Sequence, residues 1–279
     1  MNKIITLILL LSASAMSQDT IAVKTTWQKE IMGSYSVSQA HFDNWAMGGE
    51  NTFAHQLDLG GKYIYIQEKY VWTNTGKIAF GNSKIGEAET KKTIDELRIE
   101  SLLTYFIGFV ADPYFALKGE TQLAPGYIYG EESNTQVSAF LDPGYFTQSV
   151  GFKYFPTDEL SLRLGAAVKE TITKDFPAPY ADDPETKEIE TTNIELGIES
   201  VIAFSKKLSE NTQLNSTIDL FNNLKGLYTT DVRWDTDLIT QITKYINVKF
   251  NVKLFYDRDI SIKRQLNQSL LLGISYMLF

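Results

Sequence analysis

Cysteine is missing from the 279 residues. That excludes a disulfide framework, a thiolate metal site and a lipid-anchored cysteine at the N-terminus. An excess of positive charge is missing too. The formal net charge of -8 argues against nucleic acid as a partner, because such a binder needs a basic face to release counterions. No internal run approaches the ~20 apolar residues of a membrane helix. No glycine loop of the G-x-G-x-x-G kind stands between a strand and a helix, so no phosphate cradle is read. The seven prolines are few, while aromatics reach 13%. That bias favours strands.

The first residues form a separate segment. Lys3 supplies a positive start, residues 4–11 an apolar stretch and residues 12–17 a small, mostly polar end. This is the pattern of a secretory signal peptide, residues 1–17, with cleavage after Ala15 or Ser17. Export of a chain without cysteine suits a bacterial envelope. Residues 18–279 contain no linker, low-complexity tract or fixed-period repeat and read as a single domain.

What that domain contains is alternation of period two. Leu97, Ile99, Leu103, Tyr105 and Ile107 share one face; Glu96, Arg98, Glu100 and Thr104 share the other, with Leu102 and Phe106 as exceptions. Ile246, Val248, Phe250, Val252, Leu254 and Tyr256 likewise oppose Asn247, Lys249, Asn251 and Lys253. A helix repeats its faces every 3.6 residues and would not sort side chains this way. About twelve strands follow from this rule, at 29–38, 52–66, 69–81, 93–109, 114–124, 144–155, 159–173, 191–204, 212–221, 231–242, 246–257 and 267–279. The third alternates weakly. Connections after even-numbered strands are short and the others longer. That sorting, with tyrosine, phenylalanine and tryptophan at the strand ends, predicts an antiparallel up-and-down transmembrane β-barrel in the bacterial outer membrane, with lipid around it. The rival, a secreted β-sandwich or soluble barrel, would alternate as well but would not sort its turns. The last strand sets Leu270, Leu272, Ile274, Tyr276 and Leu278 opposite in parity to the terminal Phe279. A slip or bulge near the end would reconcile them.

With apolar faces turned to lipid, the lumen is lined by Asp58, Lys62, Glu96, Arg98, Glu100, Lys118, Glu120, Gln122, Arg163, Glu195, Arg233, Asp235 and Lys249. Lys153, Lys169, Glu199, Asp219, Asp237 and Lys253 belong to the same faces. The signs nearly balance. The set reads either as an ion-pair network that fills the barrel or as the wall of a hydrophilic pore that selects solutes. A barrel of ~12 strands falls between filled ones of 8 and open ones of 16–18.

Catalysis and metal binding have weaker signals. A lipid-modifying enzyme needs a nucleophile and a base within hydrogen-bond reach. His55 and Ser101 share the outward parity but lie on strands two apart, so no catalytic residue is assigned. His41 with Asp43, and the loop acids Asp182, Asp183 and Glu185, are metal-ligand types, but each reads more simply as solvated. No metal or cofactor is assigned.

The order of motifs resembles a family of uncharacterised envelope proteins, domain of unknown function 3078, common in Bacteroides-type bacteria. The matching pieces are Trp27, then "SQAHFDNWAMGG" at 38–49 with Asn44, Trp45, Gly48 and Gly49, then Trp72, "KTIDEL" at 92–97, "TQLAPGY" at 121–127 and "SAFLDPGYF" at 138–146. The resemblance implies an outer-membrane barrel and no reaction. A terminal Phe279 on an amphipathic strand resembles the signal by which barrel-assembly machinery recognises its clients. The 39–55 stretch reads as the first external hairpin loop, with Gly48 and Gly49 supplying the turn, a local side-chain turn at Asn44, and Phe42 and Trp45 tucked into the barrel mouth or the interface. The leading functional expectation is a narrow pore or transporter for small hydrophilic solutes. The alternatives are a closed structural or interaction barrel acting through its external loops and, more remotely, the lipid-modifying enzyme.

Overall fold

Alternating sequences pair into a sheet, and a sheet that closes on itself leaves no edge to cap. The computed structural model describes residues 26–277 other than 45, 131, 132, 179 and 184. The signal segment, Trp45 and the terminal Phe279 lie outside the described residues. The strands in chain order are β1 (Thr26–Ala40), β2 (Thr52–Ile66), β3 (Tyr70–Ile85), β4 (Lys91–Tyr105), β5 (Ala111–Thr121), β6 (Gly126–Tyr129), β7 (Asn134–Ser138), β8 (Gly144–Tyr154), β9 (Leu160–Ile172), β10 (Thr192–Lys207), β11 (Thr212–Asn222), β12 (Thr230–Gln241), β13 (Ile246–Tyr256) and β14 (Gln265–Met277). All but β6 and β7 form one closed antiparallel barrel of twelve strands, shut by β1 against β14. β6 and β7 make a separate hairpin inside the long connection between β5 and β8. The sequence pattern contained no signal for that hairpin.

The predicted spans fall on the observed ones within a few residues. The weak alternation of the third has a physical cause. Gly76, Lys77 and Ala79 sit mid-strand, and a bulge follows at Gly81/Asn82. The last strand keeps regular pairing with β13 and with β1, the latter reaching Met277, so the described residues contain no slip of the kind expected near the end. Tight connections at 67–69, 106–110, 155–159, 208–211 and 242–245 occupy one end; the longer ones occupy the other.

The outer face is apolar and uncovered. Ile99, Leu103, Phe115, Leu164, Leu196 and Leu270 all stand exposed, Leu196 by 69%. Trp27, Tyr63, Trp72, Tyr105, Phe152, Tyr154 and Tyr276 ring the turn end; Phe53 and Trp234 stand nearer the loop end. The two outward indoles find partners on the same face. Trp72 Nε1 donates to Ser101 Oγ at 2.8 Å and Trp234 Nε1 to Ser216 Oγ at 2.9 Å. The exception Leu102 is explained by the interior: it faces inwards and packs with Tyr114 and Ala116.

The first long loop turns where glycine was expected. Gly48 has φ 79 and Asn44 φ 50, and Asn44 Nδ2 donates to the neighbouring Asp43 carboxylate. Phe42 packs its ring on its own loop against Gly49, and its amide donates to Asn51 Oδ1 at 2.7 Å.

Candidate functional site in the barrel lumen

Side chains on the inner faces of twelve strands converge on a lumen too narrow for them to stay apart. Lys77 on β3 reaches Asp235 on β12 at 2.8 Å. Four strands, β2, β1, β14 and β13, lie between them around the wall, so this bond runs across the lumen. Arg98 on β4 reaches Asp219 on β11 at 3.2 Å, again with four strands between. Lys253 on β13 bonds Glu96 on β4, and Arg233 on β12 bonds Glu120 on β5. These four crossings form a lattice through the middle of the barrel.

Neighbouring groups tie into it. Lys118 holds Glu199 and Asp219, each at 2.6 Å. Arg98 also reaches Glu120 at 3.3 Å. Lys249 bridges Asp237 at 3.3 Å and Asp58 at 3.6 Å. Asn251 Nδ2 donates to Asp235 at 2.7 Å and Asp237 at 2.8 Å. Ser149 donates to Glu199 at 2.6 Å, and Arg163 pairs with Glu100 at 2.5 Å. Towards the loop end, Lys169 gathers Asp231 at 2.5 Å, Glu195 at 3.3 Å and Asp257 at 3.4 Å. Charges withdrawn from water this far are tolerable only when paired, and here nearly all of them are.

Of the lumen residues read from the sequence, Asp58, Glu96, Arg98, Glu100, Lys118, Glu120, Arg163, Glu195, Arg233, Asp235 and Lys249 enter these bonds. Lys62 lines a hollow at the turn end and makes no ion pair among the described residues. Gln122 is a correction. It lies just past β5, where it donates to Ala139 O at 3.0 Å, and so it fastens a loop instead of lining the barrel wall. Lys77, Asp231 and Asp257 were not read from the sequence. Lys77 sits in the poorly alternating strand, and the two acids stand at strand ends, where parity fades.

The lattice divides two hollows open to solvent. One, of about 690 Å³, faces the loops and is lined by Tyr145, Thr147, Phe221, Phe255 and the Lys169 group. The other, of about 1010 Å³, opens at the turns between Glu30, Ser34, Lys62, Asn215 and Met277.

The other chemistries considered have the following geometry. Through β3, His55 pairs with Asn82 and Ser101 with Asn74. Eight residues of strand separate those levels, roughly 26 Å at 3.3 Å each, so the structure does not bring them together. His55 instead neighbours the rings of Tyr35 and Phe53 at 6.0 and 5.8 Å. Asp182 and Asp183 cap amides of their own loop, those of Glu190 and Glu185. Among the described residues, no three His, Asp or Glu side chains are grouped as metal ligands.

The motif pieces, scattered in sequence, meet at the loop end. Asp95 of "KTIDEL", with its side chain 3% exposed, accepts the amides of Leu123 and Ala124 in "TQLAPGY" at 2.7 and 2.9 Å. Thr121 Oγ1 donates to Pro143 O at 3.0 Å and accepts from the Leu141 amide at 2.9 Å, both in "SAFLDPGYF". Residues 37–127 match the family model described as protein of unknown function (DUF3078). That is the family the motifs resemble. No curated protein matches the chain. Among solved structures it is similar to the translocator domain of autotransporter NalP from Neisseria meningitidis, with 12% identity, 91% of this chain and 90% of that one covered, and a TM-score of 0.44. It is also similar to an outer membrane channel from Pseudomonas putida F1, with 10% identity, 96% and 100% covered, and a TM-score of 0.42. The outer membrane channel DcaP of Acinetobacter baumannii is 8% identical, with 94% and 100% covered and a TM-score of 0.30.

Proposed function

We propose that this chain is a bacterial outer-membrane barrel whose lumen is held shut at mid-height, and that it acts through its long-loop face and not as an open porin. Its placement in lipid rests on the exposed apolar outer face, the aromatic rings at its ends and the closure that leaves no unpaired edge in the hydrocarbon. Delivery by a signal peptide and by barrel-assembly machinery acting on β14 belongs to the same reading. The observation that carries closure is the set of ion pairs joining near-opposite strands, such as Lys77–Asp235 and Arg98–Asp219. A solute crossing the lumen has to part them.

The second reading is a gated passage for small hydrophilic solutes. The hollows on both sides of the lattice favour it, because a permanently solid barrel has no need of either. Single-channel recording of the refolded mature protein decides between them, once heat-dependent gel migration has confirmed folding. A closed barrel gives silence. Reproducible open steps at low voltage would overturn closure in favour of passage, and Arg98→Gln or Glu120→Gln should then shift ion selectivity.

A further inference from the structure

The connections at the long-loop end differ in charge. The one between β9 and β10 is acidic, with Asp182, Asp183, Glu185, Glu188 and Glu190. The two that flank the β12–β13 pair, residues 223–229 and 257–264, carry Lys225, Arg258, Lys263 and Arg264 instead. These two loops adjoin. The Arg258 guanidinium lies 5.0 Å from the centre of the Tyr228 ring, and Asp259 lies beside Lys225. All four cations are exposed, and among the described residues none of them forms an ion pair. Asp257, the other acid of these loops, is buried. It is taken up by Lys169 at 3.4 Å and by the Asp259 amide at 3.0 Å.

The same loops expose large apolar side chains. Leu227 is 92% exposed and Ile262 79%, and Leu224 and Tyr228 are exposed as well. Apolar side chains grouped in this way mark a surface that meets a membrane or a partner. The apolar outer wall begins directly beneath them. Trp234 on β12 and Leu266 on β14 both pair with Leu254, and both are exposed on that wall. Arg264 stands two residues before Leu266, so the basic group starts where the wall ends. In a membrane that is the height of the headgroups. A guanidinium offers a phosphate a fork of donors and an ammonium offers it a compact charge. Leu227 and Ile262 suit the apolar part of the same lipid.

We propose that Lys225, Arg258, Lys263 and Arg264, with Leu227 and Ile262, form a docking surface for the phosphate headgroup of an acidic lipid in the outer leaflet. The proposal rests on the membrane placement above and holds whether the lattice opens or stays shut.

Phosphatidic acid is the probe, and phosphatidylcholine with the same acyl chains is its counterpart without net charge. Mature protein in detergent, shown to be folded by heat-dependent gel migration, is mixed with either lipid, and the lipid retained is counted by native mass spectrometry. Phosphatidic acid should be held at least about tenfold more tightly, since one cation near an anionic headgroup is worth about fivefold. Lys263→Gln with Arg264→Gln should remove most of that preference. Lys206→Gln with Lys207→Gln takes equal charge from the turn end and should leave it intact. Leu227→Ser with Ile262→Ser should weaken retention of phosphatidic acid. No preference in the wild type, or the same preference in the two charge variants, overturns the site. Inorganic phosphate that displaces the lipid where chloride of equal ionic strength does not would make this a site for the free ion and overturn the lipid assignment. Insertion of the folded barrel into phosphatidylcholine vesicles tests the membrane placement separately, so failure of one is told from failure of the other.

Discussion

The carboxylate of Asp142 is 4% exposed as a residue and accepts the amides of Lys174, Asp175 and Phe176 at 2.9, 2.7 and 3.4 Å. One side chain thereby ties the connection between β5 and β8 to the long loop between β9 and β10. Asp95 does the same for residues 123 and 124. Both aspartates stood in motif pieces quoted from the sequence, yet nothing in the sequence said what they hold. Their partners are backbone amides of other loops, which leave no trace in residue type. Asp142→Ala strands these amides, and leaving buried groups unpaired costs about 1–3 kcal/mol. The cost should appear locally. Trypsin cleavage after the exposed Lys174 should accelerate strongly while heat-dependent gel migration of the barrel is unchanged. Unchanged cleavage would mean that the loop is held by other contacts.

Strands were legible because each has one exposed apolar face and one turned to a charged interior, and period two records that contrast directly. The record fails where the contrast fails. β3 carries glycines and a bulge, and the β6–β7 hairpin is short, with the successive residues Tyr127 and Ile128 both exposed. The glycine pair between β8 and β9 was equally illegible, because only the register places Gly151 against Gly165. There a Cβ on Gly151 would come within 2.1 Å of Leu164 O and 2.4 Å of the Gly165 Cα. Backbone cannot step aside as a side chain can. Gly151→Ala should therefore destabilise the barrel by about 1–3 kcal/mol, as overpacking does, lowering the urea midpoint for unfolding from detergent. A midpoint equal to wild type would show that the two strands can move apart. A loop can be tested through its acid. The Glu190 carboxyl is held below its ordinary value by hydrogen bonds from the Thr186 hydroxyl and the Asp183 amide. A depressed carboxyl stabilises the loop above its unfolded value and loses that effect as pH falls through the folded one. The Asp183 amide should thus exchange faster, after correction for intrinsic rates, as the solution is acidified. Glu190→Gln should abolish that pH dependence.

At the scale of the whole barrel, parity assigned the inward charges but not their partners. Which strands face one another depends on how the sheet closes, and the pairing of Lys77 with Asp235 or Arg98 with Asp219 follows from closure alone. The lattice also predicts a difference between single and balanced substitutions. Lys77→Ala alone removes one of the cations serving Glu96 and Asp235, and breaking a buried pair from one side costs about 3–5 kcal/mol. Lys77→Ala with Asp235→Ala removes equal charge from both sides and should fold better than the single variant. Adding Arg98→Ala with Asp219→Ala cuts a second crossing in balance, since Lys118 keeps Glu199. Single variants should show a reduced folded fraction by gel migration and remain silent in bilayers. The fourfold variant should fold and give open steps that wild type lacks. A folded fourfold variant that stays silent would leave the closure to the two crossings that remain, Lys253–Glu96 and Arg233–Glu120, or to the long loops, where Asp95 and Asp142 fasten the mouth.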